Sequence, residues 1–166
     1  DRPDRALQRF DAALDLWRGR PFTPCGDQPW AAASVARLDE LHAQIREGRI
    51  DALLAIGRTE QALVDLELLI RDAPFREHLH AQRMLALARR GRTEEALAAY
   101  RSARDSLIDE LGIEPGAELR TLHRRILDGD PALLPPPAAR GAASEAAPAA
   151  TRTEPQLPRR LTPIIG

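Results

Sequence analysis

The chain has no lysine. All 24 of its basic side chains are arginine. That absence excludes a phosphate-loop lysine, a Schiff-base lysine and a lysine general base. Alanine is abundant beside arginine, a pairing that fits GC-rich coding. Cys25 is the single cysteine, so no internal disulfide can form, and a reducing compartment fits. It lies among Gly19, Pro21, Pro24 and Gly26 with no basic cluster beside it, which reads as an inert thiol. Aromatic residues are only 4% of the chain. No apolar run approaches the roughly 18 residues of a membrane span, and no signal-like segment is present. The sequence therefore reads as a soluble cytoplasmic protein with no membrane partner. A formal net charge of −1 lacks the basic excess of a free-standing nucleic-acid binder.

Catalytic patterns are missing too. There is no HExxH, no GxSxG and no complete phosphate-binding loop. The histidines are His42, His78, His80 and His123. His78 and His80 are two apart on a predicted helix and project from different sides, so they cannot share a metal as an i, i+4 pair could. Glu94-Glu95 and Asp109-Glu110 read as a helix start and a solvated face. The expectation is a protein that is not an enzyme and holds no metal or cofactor in this stretch.

What the chain has is a repeat. Gly57-Arg58-Thr59-Glu60-Gln61-Ala62-Leu63 returns as Gly91-Arg92-Thr93-Glu94-Glu95-Ala96-Leu97, an offset of 34 residues. That is the tetratricopeptide period, one helix–turn–helix unit. The register continues through Leu66 and Leu69 to Tyr100 and Ala103. Small alanines let two helices approach, and the larger residues four and seven positions on fill the gap.

Taken in order, Pro3 to about Trp17 reads as a helix with an apolar stripe of Leu7, Phe10, Leu14 and Trp17. Pro29 opens a long helix to about Ile56, striped by Trp30, Leu38, Leu41, Ile45, Leu53 and Ile56, with Gly48 weakening its middle. Both tryptophans sit on these stripes and are expected in the core. Thr59 and Thr93 read as N-caps of the next helix of each pair. Helices are predicted to about Arg71, over Phe75–Arg90, and to Leu111. A last helix is read from Pro115, carrying Leu119, Leu122 and Ile126. The fold class is all-α: a tetratricopeptide-like repeat of six helices over 3–128, followed by a disordered Pro/Ala-rich linker over 129–160. Residues 161–166 regain apolar character and read as the start of a further domain. The whole looks like a fragment of a longer protein.

Two arginine clusters are the candidate contact residues. Arg89, Arg90 and Arg92 gather at one helix end, where positive charge complements the helix dipole. Arg120, Arg124 and Arg125 lie on the last helix, Arg120 and Arg124 on one face. A solvated face is the plain reading of each; contact with phosphate or an acidic partner is the functional one.

The ordered set Phe75-Arg76-Glu77-His78-Leu79-His80, Gly91 to Tyr100, and Leu107-Ile108-Asp109-Glu110-Leu111-Gly112-Ile113-Glu114-Pro115 resembles the bacterial transcriptional activator domain of SARP-type regulators. Ala13 to Phe22, Trp30 and Arg37-Leu38 are similar to the start of that domain. The resemblance covers about 4–128. It implies a helical module that packs on an N-terminal winged-helix DNA-binding domain, supports homodimer formation on promoter DNA and engages RNA polymerase. Large members continue into a STAND-type ATPase, which would make ATP a ligand of a following domain, not of this one. No winged helix and no phosphate loop are present in these 166 residues. The competing expectation is a tetratricopeptide scaffold that clamps a peptide and has no part in transcription.

Overall fold

A computed structural model describes residues 2–19, 21–22 and 28–133. Among them are six α-helices and no strand: α1 (Arg2–Asp15), α2 (Pro29–Ala55), α3 (Thr59–Asp72), α4 (Glu77–Arg89), α5 (Thr93–Leu111) and α6 (Ala117–Leu127). A 3-10 turn, Pro131–Leu133, follows. Cys25 and residues 134–166 lie outside the described residues, and with them most of the expected linker and the start of a following domain.

The repeat seen in the sequence is a repeat of helix endings. Gly57 and Gly91 have φ of 79° and 73°, a region open to glycine at little cost. Each lets the next residue turn back on its helix: Arg58 N–H donates to the Leu53 carbonyl and Arg92 N–H to the Leu87 carbonyl, both at 2.9 Å. These closing bonds satisfy carbonyls that a helix end leaves free. Thr59 and Thr93 are not the caps. Arg58 and Arg92 hold the N-cap positions, without side-chain bonds. The tight glycine turn brings the chain into the helix one residue earlier than the threonines suggest. Thr59 becomes a first-turn residue, 6% exposed.

The core runs through all six helices. Ile50, Leu53, Leu66, Met84, Leu107 and Leu119 are among its fully buried large side chains. Alanines Ala62 and Ala96, both 0% exposed, sit at equivalent positions of the two units and permit close helix approach. Helix α4 is the centre of the stack and contacts α2, α3, α5 and α6.

Helix α1 lies antiparallel on α2, as its contacts show. Asp11 pairs with Arg49 at 2.6 Å, and Trp17 stacks on His42 at 4.5 Å. Arg49 also reaches Asp65 at 2.5 Å, so one guanidinium joins α1, α2 and α3. Burial opposes its charge, but the two carboxylates outweigh that and hold its pKa raised. Gly48, read from sequence as a weak point, is where the Phe10 ring rests: a Cβ there would stand 2.5 Å from Phe10 Cζ.

Three further expectations change. Trp30 is 69% exposed, not core. It sits on the first turn of α2, edge-on to Phe22 at 6.3 Å, where none of the described helices covers it. Pro115 does not start α6; it is buried just ahead of it, and Gly116 is the N-cap, its N–H held by Glu77 Oε2 at 2.6 Å. The packed body also does not stop at 128. Leu133 is 7% exposed and belongs to the core cluster.

Candidate functional site

The six candidate arginines separate into different situations. Arg89 is structural. Its Nη1 donates to the Leu54 carbonyl at 2.8 Å and its Nε to the Leu133 carbonyl at 3.1 Å, joining the end of α2 to the 3-10 turn. Burial lowers its pKa, opposed by Asp51. Arg90 pairs with Glu60 on α3 at 2.8 Å. Arg92 forms a two-point pair with Glu95, 2.7 Å at each point, one turn into α5. Glu95 thereby raises the Arg92 pKa. Arg125 pairs with Asp130 at 2.7 Å, and that bond, helped by the Ala132 N–H, lowers the Asp130 pKa. Among the described residues, Arg120 and Arg124 make no ion pair, and both are exposed on α6. The structure therefore does not bring the two clusters together as one basic surface. It leaves a single unpaired pair, four residues apart on one helix face.

A concavity lies between α4 and α6, with a volume of about 520 Å³. Helix α2 supplies Asp51, and the 3-10 turn supplies Ala132 and Leu133. His78 stands at one end, with Nδ1 3.1 Å from Glu118 Oε1 and Nε2 3.7 Å from Asp51 Oδ2. Glu118 is the nearer partner, but Asp51 is the less exposed of the two carboxylates and acts through less water. Asp51 is the main cause that pushes the His78 pKa up to about 9, against the opposing effect of burial. The imidazole is therefore a cation at neutral pH, clasped between α2 and α6. Burial raises the Asp51 carboxyl, but the His78 imidazole at 3.7 Å and the hydrogen bond from Gln82 outweigh it and hold its pKa low. Arg125 and Arg89 line the far side of this cleft, so two of the six candidate arginines meet there while Arg120 and Arg124 do not.

Sequence reasoning missed Asp51, Gln82 and His78 as a group. One signal was available. Gln82 falls 34 positions after Gly48, in register with a residue on the packing face of the first unit, and a polar side chain in such a place needs partners. His80, by contrast, is 8% exposed and donates to the Pro74 carbonyl at 2.7 Å, a structural bond. No cluster of metal-ligand type occurs among the described residues. None of the described helices is long and apolar enough to cross a membrane.

Fold and groove define a tetratricopeptide-like helical module with a cleft lined from α2, α4, α6 and the 3-10 turn. Residues 1–127 match the family described as bacterial transcriptional activator domain, and the chain belongs to that family. It is 41% identical over 130 residues to Regulatory protein DnrI of Streptomyces peucetius, covering 78% of this chain and 48% of that protein. Regulatory protein AfsR of Streptomyces coelicolor is 40% identical over 154 residues, 93% of this chain and 15% of its own length. The solved structure of Mycobacterium tuberculosis EmbR in complex with a low affinity phosphopeptide superposes with a TM-score of 0.75 at 32% identity, over 87% of this chain and 37% of that one. These relatives are SARP-type transcriptional regulators. The chain spans less than half the length of each of them.

Proposed function

We propose that this helical body is the protein-contact module of a bacterial cytoplasmic transcription activator. It supports an adjacent winged-helix DNA-binding domain, assists dimer formation on promoter DNA and presents a surface to RNA polymerase, without catalysis or a cofactor of its own. Any ATP use belongs to a following domain. The observation that carries this reading is the family match across nearly the whole described body, together with relatives that are regulators. Within the module, the exposed pair Arg120 and Arg124 is assigned to the outside partner, a phosphate backbone or an acidic protein surface. Arg89, Arg90 and Arg125 are engaged in joining elements of the module, and Arg92 is engaged by Glu95 within the first turn of α5. A free-standing peptide clamp is the weaker reading, because the family match and the named relatives are those of transcriptional regulators.

The test is a promoter-reporter assay in the full regulator. Arg120→Glu with Arg124→Glu should cut activation by about tenfold, the loss of roughly 1.4 kcal/mol of contact, with helix content and expression unchanged. Arg90→Glu with Arg92→Glu should lower thermal stability more than it lowers activation at permissive temperature. Full activation by the first pair would overturn the assignment.

A further inference from the structure

Arg89 carries a charge that no carboxylate meets. Its partners among the described residues are two neutral carbonyls: Nε donates to Leu133 at 3.1 Å and Nη1 to Leu54 at 2.8 Å. Asp51 favours the charge electrostatically but forms no ion pair with it. That carboxylate is already engaged by His78 and by Gln82. A guanidinium presents five N–H groups in one rigid plane. Two are used here, and they fix the plane through α2 and the 3-10 turn. Nη2 has no partner, yet it is not enclosed: among the described residues, Gln82 Oε1 is the buried side-chain polar atom that lacks one. Arg89 lines the cleft between α4 and α6, so its free Nη2 edge is the part an entering molecule meets. A half-buried cation held by neutral groups gains from an anion, because charge-assisted bonds from guanidinium to carboxylate are about twice as strong as neutral ones.

The surroundings select the kind of anion. The volume of about 520 Å³ lies within the range of small-molecule sites. Leu85, Leu122 and Leu133 give the cleft apolar walls, which call for an apolar body. The other cations of the lining already face carboxylates: His78 lies between Asp51 and Glu118, and Arg125 pairs with Asp130. Around His78 the carboxylates exceed the imidazolium by one, which directs an acid group away from that end and towards Arg89. Glu118 is 69% exposed, so water screens much of this repulsion. One cation is left over, and it matches a monoanion. A phosphate monoester would bring a second negative charge towards Asp51 and Glu118 with no cation to receive it.

We infer that the cleft between α4 and α6 is a binding site for a small monocarboxylic acid, its carboxylate on Arg89 and its apolar body against Leu85, Leu122 and Leu133. The site is independent of the contacts proposed above, since Arg120 and Arg124 lie outside its lining.

The experiment is an NMR titration of the full isotope-labelled chain at neutral pH with benzoate, phenylacetate and hexanoate, and with benzamide, phenylacetamide and hexanamide as matched neutral controls. At least one acid should give a saturable shift of the Arg89 Nε–H resonance, with nuclear Overhauser contacts from its apolar protons to Leu85 or Leu122 methyl groups. A dissociation constant of roughly 1 mM is the scale for such fragments. The matching amide should bind at least about tenfold more weakly, and added salt should weaken the acid more than the amide. Arg89→Gln should remove the preference for the acid. Because Arg89 also ties α2 to the 3-10 turn, the amide comparison and the methyl contacts, which need only the unaltered chain, decide the matter where that variant unfolds. No saturable shift with any of the acids, equal binding of acid and amide, methyl contacts confined to other parts of the surface, or an undiminished acid preference in folded Arg89→Gln would each overturn the site.

Discussion

Replacing Gly48 by alanine should destabilise the protein, although the same change in an ordinary helix stabilises it. In a helix interior, glycine to alanine gains about 1 kcal/mol. Here the new Cβ would stand 2.5, 2.8 and 3.2 Å from Phe10 Cζ, Cε1 and Cε2. Ordinary carbon contacts are about 3.5–4.0 Å, so the ring must retreat by about 1 Å. The Asp11–Arg49 pair next to it holds α1 in place. Overpacking of this kind costs about 1–3 kcal/mol. The net expectation for Gly48→Ala is a loss of about 1 kcal/mol. Phe10→Ala removes the obstacle, and in that background Gly48→Ala should raise stability by up to about 1 kcal/mol. Urea unfolding of the four proteins, followed by circular dichroism, gives the coupling, expected near 2 kcal/mol. An equal stabilisation by Gly48→Ala in both backgrounds would refute the claim that Phe10 packs on this glycine.

Two further predictions concern the cleft and its floor. The His78 pKa is raised in the folded chain to about 9, above its unfolded value of about 6.5. Its stabilisation is therefore complete below about pH 6.5 and is lost as pH rises through about 9. The side chain is 39% exposed, so solvent screening reduces the effect to about 1 kcal/mol. His42 and His123 have lowered pKa values, mainly from burial, and act only on the acid side of this window. Chemical unfolding at about pH 6.5 and about pH 9.5 should show the loss, and His78→Gln should flatten it; an unchanged slope in the variant would contradict the assignment. For the tail, ending the chain after Leu133 should leave the melt within about 1 °C of the parent, whereas ending it at Asp130 should cost about 2 kcal/mol through the burial of Leu133 and the Arg89 bond. Equal melts for the two truncations would show that the 3-10 turn adds nothing.

The helices and their order were legible because the 34-residue register repeats both the glycine turn and the alanine that follows it. What escaped was anything decided by the neighbour instead of the helix itself. Gly48 looks like a defect until Phe10 is laid on it. Trp30 fits a helical stripe, but a stripe records periodicity and not whether another helix arrives to cover it. On α2 the fully buried residues include Ala31 and Ile50, which flank the stripe read from the larger side chains. Pro115 carries the usual signature of a helix start, yet it is buried as a packing residue two positions ahead of α6. The arginine clusters were visible as clusters, but only the fold shows which guanidiniums already have carboxylates or carbonyls. Gln82 and Asp51 lie 31 apart in sequence, and no short motif links them.

As proposed above, this helical body is a working part of a transcription activator. The most direct measurement is a chimera in which residues 2–133 replace the matching region of Regulatory protein DnrI, assayed on a DnrI-responsive promoter beside a deletion lacking the region. The chimera should activate clearly above the deletion, and Arg120→Glu with Arg124→Glu should remove the gain. A chimera that is folded and binds the promoter, yet activates no better than the deletion, would contradict it.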